Sequence, residues 1–243
     1  METNERILVV QFRTDDSEDH EQKCFHEDYN DLSVDLHFES AISGDLENCR
    51  LDDYHGVILG GSGEYYLTEG AGKGSWRQDA FEFINKTLNK EKPTLGICFG
   101  SQLLALHQGG KLVSDEKYHE SGSYQVDLTK EAEDCDIFSN MDPSFNATIA
   151  HQDTHIDMPD NIVPLASSER VPCQAFKVKD KPAWGTLFHP ELNADRLDYR
   201  LRLYPSYVDN EHLIDEIIQD FDDTSYSINI LHHFYHYIAE NID

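Results

Sequence analysis

A cysteine between two glycines is the pattern in this chain best suited to covalent chemistry. In the run LGICFGSQ, Cys98 stands between Gly96 and Gly100, where a strand-like pattern gives way to a helical one. Such a sharp turn admits only small residues beside its nucleophile. It would also hold the sulfur at a helix N-terminus, whose dipole favours thiolate over thiol. The pattern predicts a nucleophile, although a buried structural cysteine would give the same pattern.

A second motif, GTLFHPE at residues 185–191, places His189 at the end of a predicted strand and Glu191 two residues later. A cysteine nucleophile needs a base that takes its proton and returns it to the leaving amine. That base needs a third group to fix its tautomer. Residues two apart in an extended chain lie on one face, so His189 and Glu191 can act together. Alone, the motif is more typical of a strand-end histidine and a surface glutamate; with the cysteine turn upstream, it predicts the base and its orienting carboxylate.

A glycine-rich loop, Gly60-Gly61-Ser62-Gly63, follows a third predicted strand. Backbone N–H groups exposed in such a loop can stabilise an oxyanion. They can also hold a phosphate, but no lysine or threonine follows with P-loop spacing.

The elements that position these motifs follow from hydrophobic periodicity. Helical spacing occurs at Trp76–Leu88, at Gln102–His107, and from Ala194 onward with interruptions near Pro205 and at 220–227. Strands are predicted at Ile7–Phe12, Ser33–Phe38, Gly56–Leu59, Thr94–Ile97, Tyr124–Leu128, Ala147–Ala150, Gln174–Val178 and Trp184–Phe188. The alternation predicts an α/β fold with an open, mostly parallel, twisted sheet and helices on both faces. We expect an α/β domain at 1–193 and a C-terminal helical extension, 194–243, packed on it.

Composition limits the partners and the compartment. The chain has 243 residues, with 19 Lys and Arg against 47 Asp and Glu, a formal charge of -28. Such acidity disfavours nucleic acid and anionic membrane surfaces as partners; it fits a well-solvated surface or a saline cytoplasm. Five cysteines without CxxC spacing fit a reducing compartment. Because no signal peptide or bilayer-spanning window is visible, we expect a cytoplasmic protein.

The order GGSG, LGICFGSQ, GTLFHPE resembles the class I glutamine amidotransferase family, and within it the stand-alone proteins similar to the glutaminase domain of GMP synthase. The resemblance is good from Tyr54 to Leu192 and loose over the first fifty residues. It does not extend to the last fifty residues. It implies that Cys98 is the nucleophile, His189 the general base and acid, and Glu191 its orienting partner. It implies no metal and no cofactor.

The resemblance also implies an oxyanion hole made by the backbone N–H groups of Gly61 and Phe99. The 151–153 segment, HQD, resembles a family segment at the pocket rim, where a structural role is at least as well supported as a catalytic one. Ser62 stands where the family often has proline, which predicts a looser loop. The substrate-binding positions implied by the resemblance are Gly60, Gly63, Gln102, Gly122 and Ser123.

Three functions remain open at this point. The first is hydrolysis of the glutamine side-chain amide through a γ-glutamyl thioester on Cys98, with an unknown ammonia acceptor. Because no synthase domain is fused to the motifs, the acceptor would lie on a separate protein. The second is a γ-glutamyl peptidase or hydrolase, since the acyl half of the reaction is identical. The third is a catalytically idle domain that binds a partner or a γ-glutamyl ligand, which the three intact residues disfavour.

Overall fold

The computed structural model of the protein describes residues 4–208 and 212–241. The strands are β1 (Glu5–Gln11), β2 (Val34–Ser40), β3 (Gly56–Leu59), β4 (Thr94–Ile97), β5 (Lys111–Ser114), β6 (Glu120–Leu128), β7 (Ser144–His151), β8 (Asp153–Asp157), β9 (Ile162–Ser167), β10 (Ala175–Val178) and β11 (Ala183–Thr186). The α-helices are α1 (Ser17–Asp28), α2 (Trp76–Asn89), α3 (Phe99–His107), α4 (Ala194–Leu203), α5 (His212–Gln219) and α6 (Asn229–Glu240).

Within the described ranges, nine strands form one sheet in the order β2-β1-β3-β4-β11-β10-β9-β6-β7. The first five run parallel, and the pairings from β11 to β7 are antiparallel. The carboxyl ends of parallel strands meet at one edge of a sheet, so the segments after β1, β3, β4 and β11 converge there. That edge brings the glycine loop, Cys98 and the His-Pro-Glu motif together.

Both faces of the sheet are covered by helices, which confirms the predicted fold class. Successive side chains of a strand point to opposite faces. Ile7 and Val9 of β1 pack with α1 and α6, whereas Leu8 and Val10 pack with α2 and α3. All four side chains are at most 1% exposed. Neither face of β1 therefore meets solvent, which explains its unbroken apolar run.

The C-terminal helices belong to the same packing. Phe234 and Ile238 of α6 lie in the core that contains Trp184 of β11, while Leu201 of α4 and Ile214 of α5 form a smaller cluster with Cys24 of α1. The helices end at the expected interruptions, after Leu203 and Gln219. The division at residue 193 stays a prediction. In the described part of the chain, no helix has the length and apolar character needed to cross a bilayer.

The sequence predictions missed three strands, β5, β8 and β9. The first two form a separate antiparallel ribbon. Their apolar signal is weak, because β5 is partly exposed and the buried residues of β8 are the polar Asp153, Thr154 and His155. β9 contains Pro164, which argues against a strand in the interior of a sheet. Here β9 pairs with β6 only at Ala166 and Ser167, so the N–H that proline lacks is not required on that side. The predicted strand Trp184–Phe188 was too long, since β11 ends at Thr186.

Candidate active site

The turn at Cys98 connects β4 to α3 and is tightly constrained. Cys98 has φ 47° and ψ -104°, a left-handed conformation that costs a residue with a side chain of order 1–3 kcal/mol. A Cβ on Gly96 would lie 2.7 Å from the backbone nitrogen of Ser101, and one on Gly100 would collide with the carbonyl oxygen of Leu59. Both glycines are therefore required, as the sequence predicted. The strain is confined to the one residue that carries the sulfur.

His189 reaches Cys98 from the segment after β11. Its backbone N–H donates to the carbonyl oxygen of Thr148 at 2.8 Å, which fixes it against β7. The imidazole interacts electrostatically with the sulfur of Cys98, which lies 3.7 Å from the carbonyl oxygen of Ala150. On its other side, the ring nitrogen Nδ1 lies 2.7 Å from Oε1 of Glu191. His189 is 4% and Glu191 1% exposed, so the structure brings the three predicted residues into one buried chain of contacts.

The charges around His189 favour its protonated form, an imidazolium. Burial by itself lowers the pKa of His189, but the Glu191 carboxylate and the Cys98 sulfur outweigh it and raise that pKa to about 10. Burial by itself raises the pKa of Glu191, but the neighbouring His189 charge holds it below its usual value. A positive ring beside a cysteine stabilises the thiolate, which is the attacking form.

A second buried histidine–glutamate pair lies nearby and behaves differently. Nε2 of His151 is 3.2 Å from Oε2 of Glu120, and both side chains are fully buried. Here burial outweighs the carboxylate, and the pKa of His151 is lowered. Asp153, the last residue of the HQD segment, accepts hydrogen bonds from the N–H and hydroxyl of Thr68. Asp153 therefore anchors the loop that carries Thr68.

The candidate oxyanion hole differs from the sequence-based expectation in one respect. Phe99 is the first residue of α3, so its N–H has no acceptor within the helix. The N–H of Gly61, in contrast, donates to Oε1 of the buried Glu21 at 3.1 Å. The carbonyl of Gly60 accepts from the N–H of Gly100 at 3.0 Å. The Gly60–Gly61 peptide thus directs its carbonyl toward α3 and its N–H toward Glu21.

The glycine loop is more restrained than its composition suggested. The Ser62 hydroxyl accepts from the N–H groups of Glu64 and Tyr65, both at 3.3 Å. A serine turn of this kind restrains the loop backbone through hydrogen bonds, whereas proline would restrain it through its ring. A Cβ on Gly63 would collide with the ring of Tyr204, so this glycine allows the C-terminal segment to pack closely.

Two small cavities flank the Cys98–His189 contact. We call the first the Cys98 cavity; its walls are Ser62, Tyr65, Tyr66, Cys98, Phe99, Gln102, His151, Gln152, Asp153 and Tyr207, and its volume is about 10 Å³. We call the second the His189 cavity; its walls are Arg13, Ser62, Gly63, Ala150, His189, Leu192, Arg200, Leu201, Tyr204 and Tyr207, and its volume is about 20 Å³. Each has room for about one water molecule. Ser62 and Tyr207 separate the two.

The predicted substrate-binding positions divide into two groups. Gln102 lies in the wall of the Cys98 cavity, where its Nε2 donates to the carbonyl of Asp153 at 2.9 Å. Gly122 and Ser123 are not in the wall of either cavity. The hydroxyl of Ser123 accepts from the N–H of Asp222, and a Cβ on Gly122 would approach Ile217. In this conformation both residues contact the C-terminal segment.

Three residues in the walls of these cavities were not predicted from the sequence. Tyr207, in the 3-10 turn Pro205–Tyr207 after α4, hydrogen-bonds through its hydroxyl to the Ser62 carbonyl at 3.4 Å. Arg13 follows β1, and its Nε lies 3.0 Å from Oε1 of Glu21. Arg200 lies on the buried side of α4. The sequence does carry a signal for Arg200, since it occupies an apolar stripe of a helix.

The comparison with known families agrees with this geometry. The profile described as glutamine amidotransferase class-I matches residues 16–201, which is most of the chain. The chain belongs to the class I glutamine amidotransferase family. The matched range begins before α1 and includes all three predicted catalytic residues.

Several proteins similar to this chain are named GMP synthase or a subunit of GMP synthase. The glutamine-hydrolysing GMP synthase of Cytophaga hutchinsonii is 33% identical over 138 residues, 56% of this chain and 25% of that protein. A protein of Methanothermobacter thermautotrophicus, named as one subunit of the glutamine-hydrolysing GMP synthase, is 35% identical over 150 residues, 61% of this chain and 72% of that one. The chain thus spans about a quarter of the first relative. A glutamine amidotransferase structure from Thermotoga maritima has the same fold, with a TM-score of 0.73 and 24% identity over 98% of this chain and 99% of that one.

Proposed function

We propose that this class I family member hydrolyses the side-chain amide of glutamine, or the same γ-glutamyl amide in another compound, through a thioester on Cys98. One observation carries the proposal: the strained Cys98 lies close enough to His189 to act on its charge, and His189 is 2.7 Å from the buried Glu191. A nucleophile, a base and an orienting carboxylate in this order are the parts needed for acyl transfer.

The reaction begins with attack of the Cys98 thiolate on the amide carbon. The S–C bond forms, and negative charge collects on the carbonyl oxygen. The imidazolium of His189 then gives its proton to the amide nitrogen, the C–N bond breaks, and ammonia or an amine leaves. Water, deprotonated by His189, attacks the thioester and releases glutamate and the thiolate. Glu191 keeps the ring oriented and stabilises its positive charge throughout.

The oxyanion needs donors that face it. The Phe99 N–H is available at the start of α3, whereas the Gly61 N–H is bound to Glu21. Rotation of the Gly60–Gly61 peptide would bring this second donor to the oxyanion. Loss of one such donor costs about a hundredfold or more in rate. We therefore infer that the conformation described here is a slow form, and that a substrate or partner completes the hole.

A partner is supported by the relatives. Several of them are named as one subunit of GMP synthase, which is a name for one component of a larger enzyme. Where glutamine is the substrate, we propose that a separate acceptor protein receives the released ammonia. The catalytically idle alternative is disfavoured, because a domain that only binds ligands has no need for a strained cysteine in contact with a buried His–Glu pair.

The proposal is tested by glutamate release from a panel of glutamine, glutathione and γ-glutamyl amines. Cys98→Ala should abolish release from every active substrate and leave the unfolding transition in place. Cys49→Ala is the matched control, because that thiol lies outside both cavity walls. Glutamate release that survives Cys98→Ala would contradict the proposal, as would equal losses in the two variants.

A further inference from the structure

A buried arginine, Arg200, lies in the wall of the His189 cavity. It is 6% exposed and stands in α4 between the buried Leu197 and Leu201. The cavity wall includes a second buried guanidinium, that of Arg13, together with His189 itself. Two buried arginines therefore contribute to the wall of the small space beside the candidate base.

Arg200 differs in its partners from the buried Arg13 and the partly buried Arg196. Arg13 pairs with Glu21 at 3.0 Å and Arg196 pairs with Asp28 at 2.7 Å. Within residues 4–208 and 212–241, no carboxylate forms an ion pair with Arg200, although the chain has 47 acidic residues against 19 basic ones. Its Nε donates to Nδ1 of His20 at 2.7 Å. Its buried Nη2 has no acceptor in the described part of the chain.

The His20 ring does not supply a compensating charge. Burial, with the nearby arginines, lowers the pKa of His20 to about 4, so the ring is neutral at physiological pH. Burial likewise lowers the pKa of Arg200, although a guanidinium stays protonated. Two buried carboxylates, Glu21 and Glu191, act on Arg200 electrostatically, but Glu21 is paired with Arg13 and Glu191 with His189. A buried arginine without an ion pair of its own, beside the candidate base, fits a group that binds an anion.

The position of the cavity indicates which anion. Cys98 and Gln102 line the Cys98 cavity, where the γ-glutamyl group forms its thioester. His189 lines the other cavity and gives a proton to the leaving nitrogen. The group bonded to the leaving nitrogen therefore extends into the His189 cavity, toward Arg200. A guanidinium binds a carboxylate through two parallel hydrogen bonds, a geometry that ammonia cannot use.

We propose that Arg200, supported by the positive potential of Arg13, forms a leaving-group subsite for the carboxylate of an amino acid or peptide joined to the γ-glutamyl group. This inference rests on the proposed function and narrows its substrate class. The preferred substrates are γ-glutamyl amino acids and peptides, and the amine that leaves carries its own carboxylate. The bonds made and broken are those of the thioester mechanism, with an amino acid or peptide in place of ammonia.

To bind in both cavities, the substrate must displace the Tyr207 ring that lies between them. The two cavities, about 20 and 10 Å³, share Ser62 and Tyr207 as walls, so withdrawal of the Tyr207 ring joins them. The joined space extends from Gln102 past the Cys98–His189 contact to Arg200. A γ-glutamyl amino acid is far larger than the two water-sized cavities, so it would also fill the space that the Tyr207 ring vacates, with one end at each side of that contact.

Binding to a Cys98→Ala protein tests the subsite without turnover. The two ligands are γ-glutamylglycine and γ-glutamyl methylamide, which differ in the leaving-group carboxylate and share the α-carboxylate. Isothermal titration calorimetry should give tighter binding of γ-glutamylglycine by about tenfold or more. Adding Arg200→Met should bring the ratio of the two dissociation constants close to one, and Arg200→Lys should retain part of it.

Arg202→Met is the matched control, because Arg202 is exposed on the same helix and pairs with Asp198 and Asp215. It should keep the ratio of the parent protein. Arg200→Met should also unfold at the same or a higher temperature, since the buried charge it removes has no ion pair. If that variant does not fold, Arg200→Gln and Arg200→Lys provide the same comparison.

Two results would overturn the subsite: equal affinity of the parent for both ligands, or equal weakening of both by Arg200→Met. The second would mean that Arg200 binds the α-carboxylate. Failure of the proposed function has a different signature. In that case the Arg200-dependent preference for γ-glutamylglycine persists in binding, while protein with Cys98 intact releases no glutamate from either compound.

Discussion

Replacing Glu191 by glutamine removes one charge from the buried chain of contacts and nearly preserves its shape. The present geometry places Nδ1 of His189 2.7 Å from Oε1 of Glu191, with both side chains buried. Glutamine can still accept a hydrogen bond from that nitrogen, but it cannot stabilise a positive ring. The substitution therefore separates the electrostatic role of Glu191 from its role in orienting His189.

The expected size of the effect follows from the pKa of His189. A rise from 6.5 to about 10 corresponds to about 5 kcal/mol in favour of the charged ring. Without the Glu191 charge, only Cys98 opposes the effect of burial, so the pKa of His189 falls. The charged fraction of His189 at pH 7.5 then falls as well. Turnover should fall by between about ten- and a thousandfold, which is less than the loss caused by His189→Ala.

Alkylation of Cys98 by iodoacetamide is the direct assay. Losing the imidazolium beside the sulfur should slow alkylation of Cys98 several-fold at pH 7.5, because the thiolate is the attacking form. Glu120→Gln is the matched control, because it alters the other buried histidine–glutamate pair. It should change the alkylation rate by less than about twofold.

The pH dependence of stability gives a second measurement. The folded pKa of His189 lies above its unfolded value, so the pair's stabilisation is full below pH 6.5 and is lost as the pH rises through about 10. The difference in unfolding free energy between wild type and Glu191→Gln should shrink over that range. Equal alkylation rates at pH 7.5, together with a constant stability difference, would refute the charged-pair account.

Three further substitutions test other parts of the site. Glu21→Ala leaves Arg13 buried and unpaired and should cost about 3–5 kcal/mol in urea unfolding, whereas a loss below about 1 kcal/mol would mean that the pair is unimportant. Tyr207→Ala joins the two cavities and should speed alkylation of Cys98 several-fold; slower alkylation would show that the ring does not cover the thiol. Gly100→Ala drives a Cβ into a backbone carbonyl of β3 and should lower the melting temperature by more than about 5 °C; an unchanged melting temperature would refute that steric constraint.

The residues at the centre of the candidate site lie in local motifs, which is why the sequence could suggest them. Cys98 and its flanking glycines describe a turn whose geometry is set within a few residues, and a strand-to-helix change is visible in the hydrophobic pattern. The His189–Glu191 contact also lies within three residues, so spacing alone was sufficient to suggest it. The parallel sheet followed from alternating strands and helices, because βαβ connections impose that arrangement.

Contacts between distant segments could not be read in this way. Glu21 binds the N–H of Gly61 across 40 positions, and Tyr207 contacts Ser62 across 145. Neither contact produces a periodic hydrophobic pattern or a short motif in the sequence. Arg200 is an intermediate case, since its place in an apolar stripe of α4 marks it as unusual without showing what it faces. Strand β9 was hidden by Pro164, whose missing N–H matters only once the partners of the strand are known.

The most direct test of the account is mass spectrometry of the acyl-enzyme. Wild-type protein is mixed with γ-glutamyl substrate, quenched in acid within one turnover, and digested for peptide mapping. We predict a glutamyl group on the peptide that contains Cys98, none on the peptides of the other four cysteines, and none in Cys98→Ala. A glutamyl group on another cysteine, or glutamate release without any adduct on Cys98, would contradict the central claim.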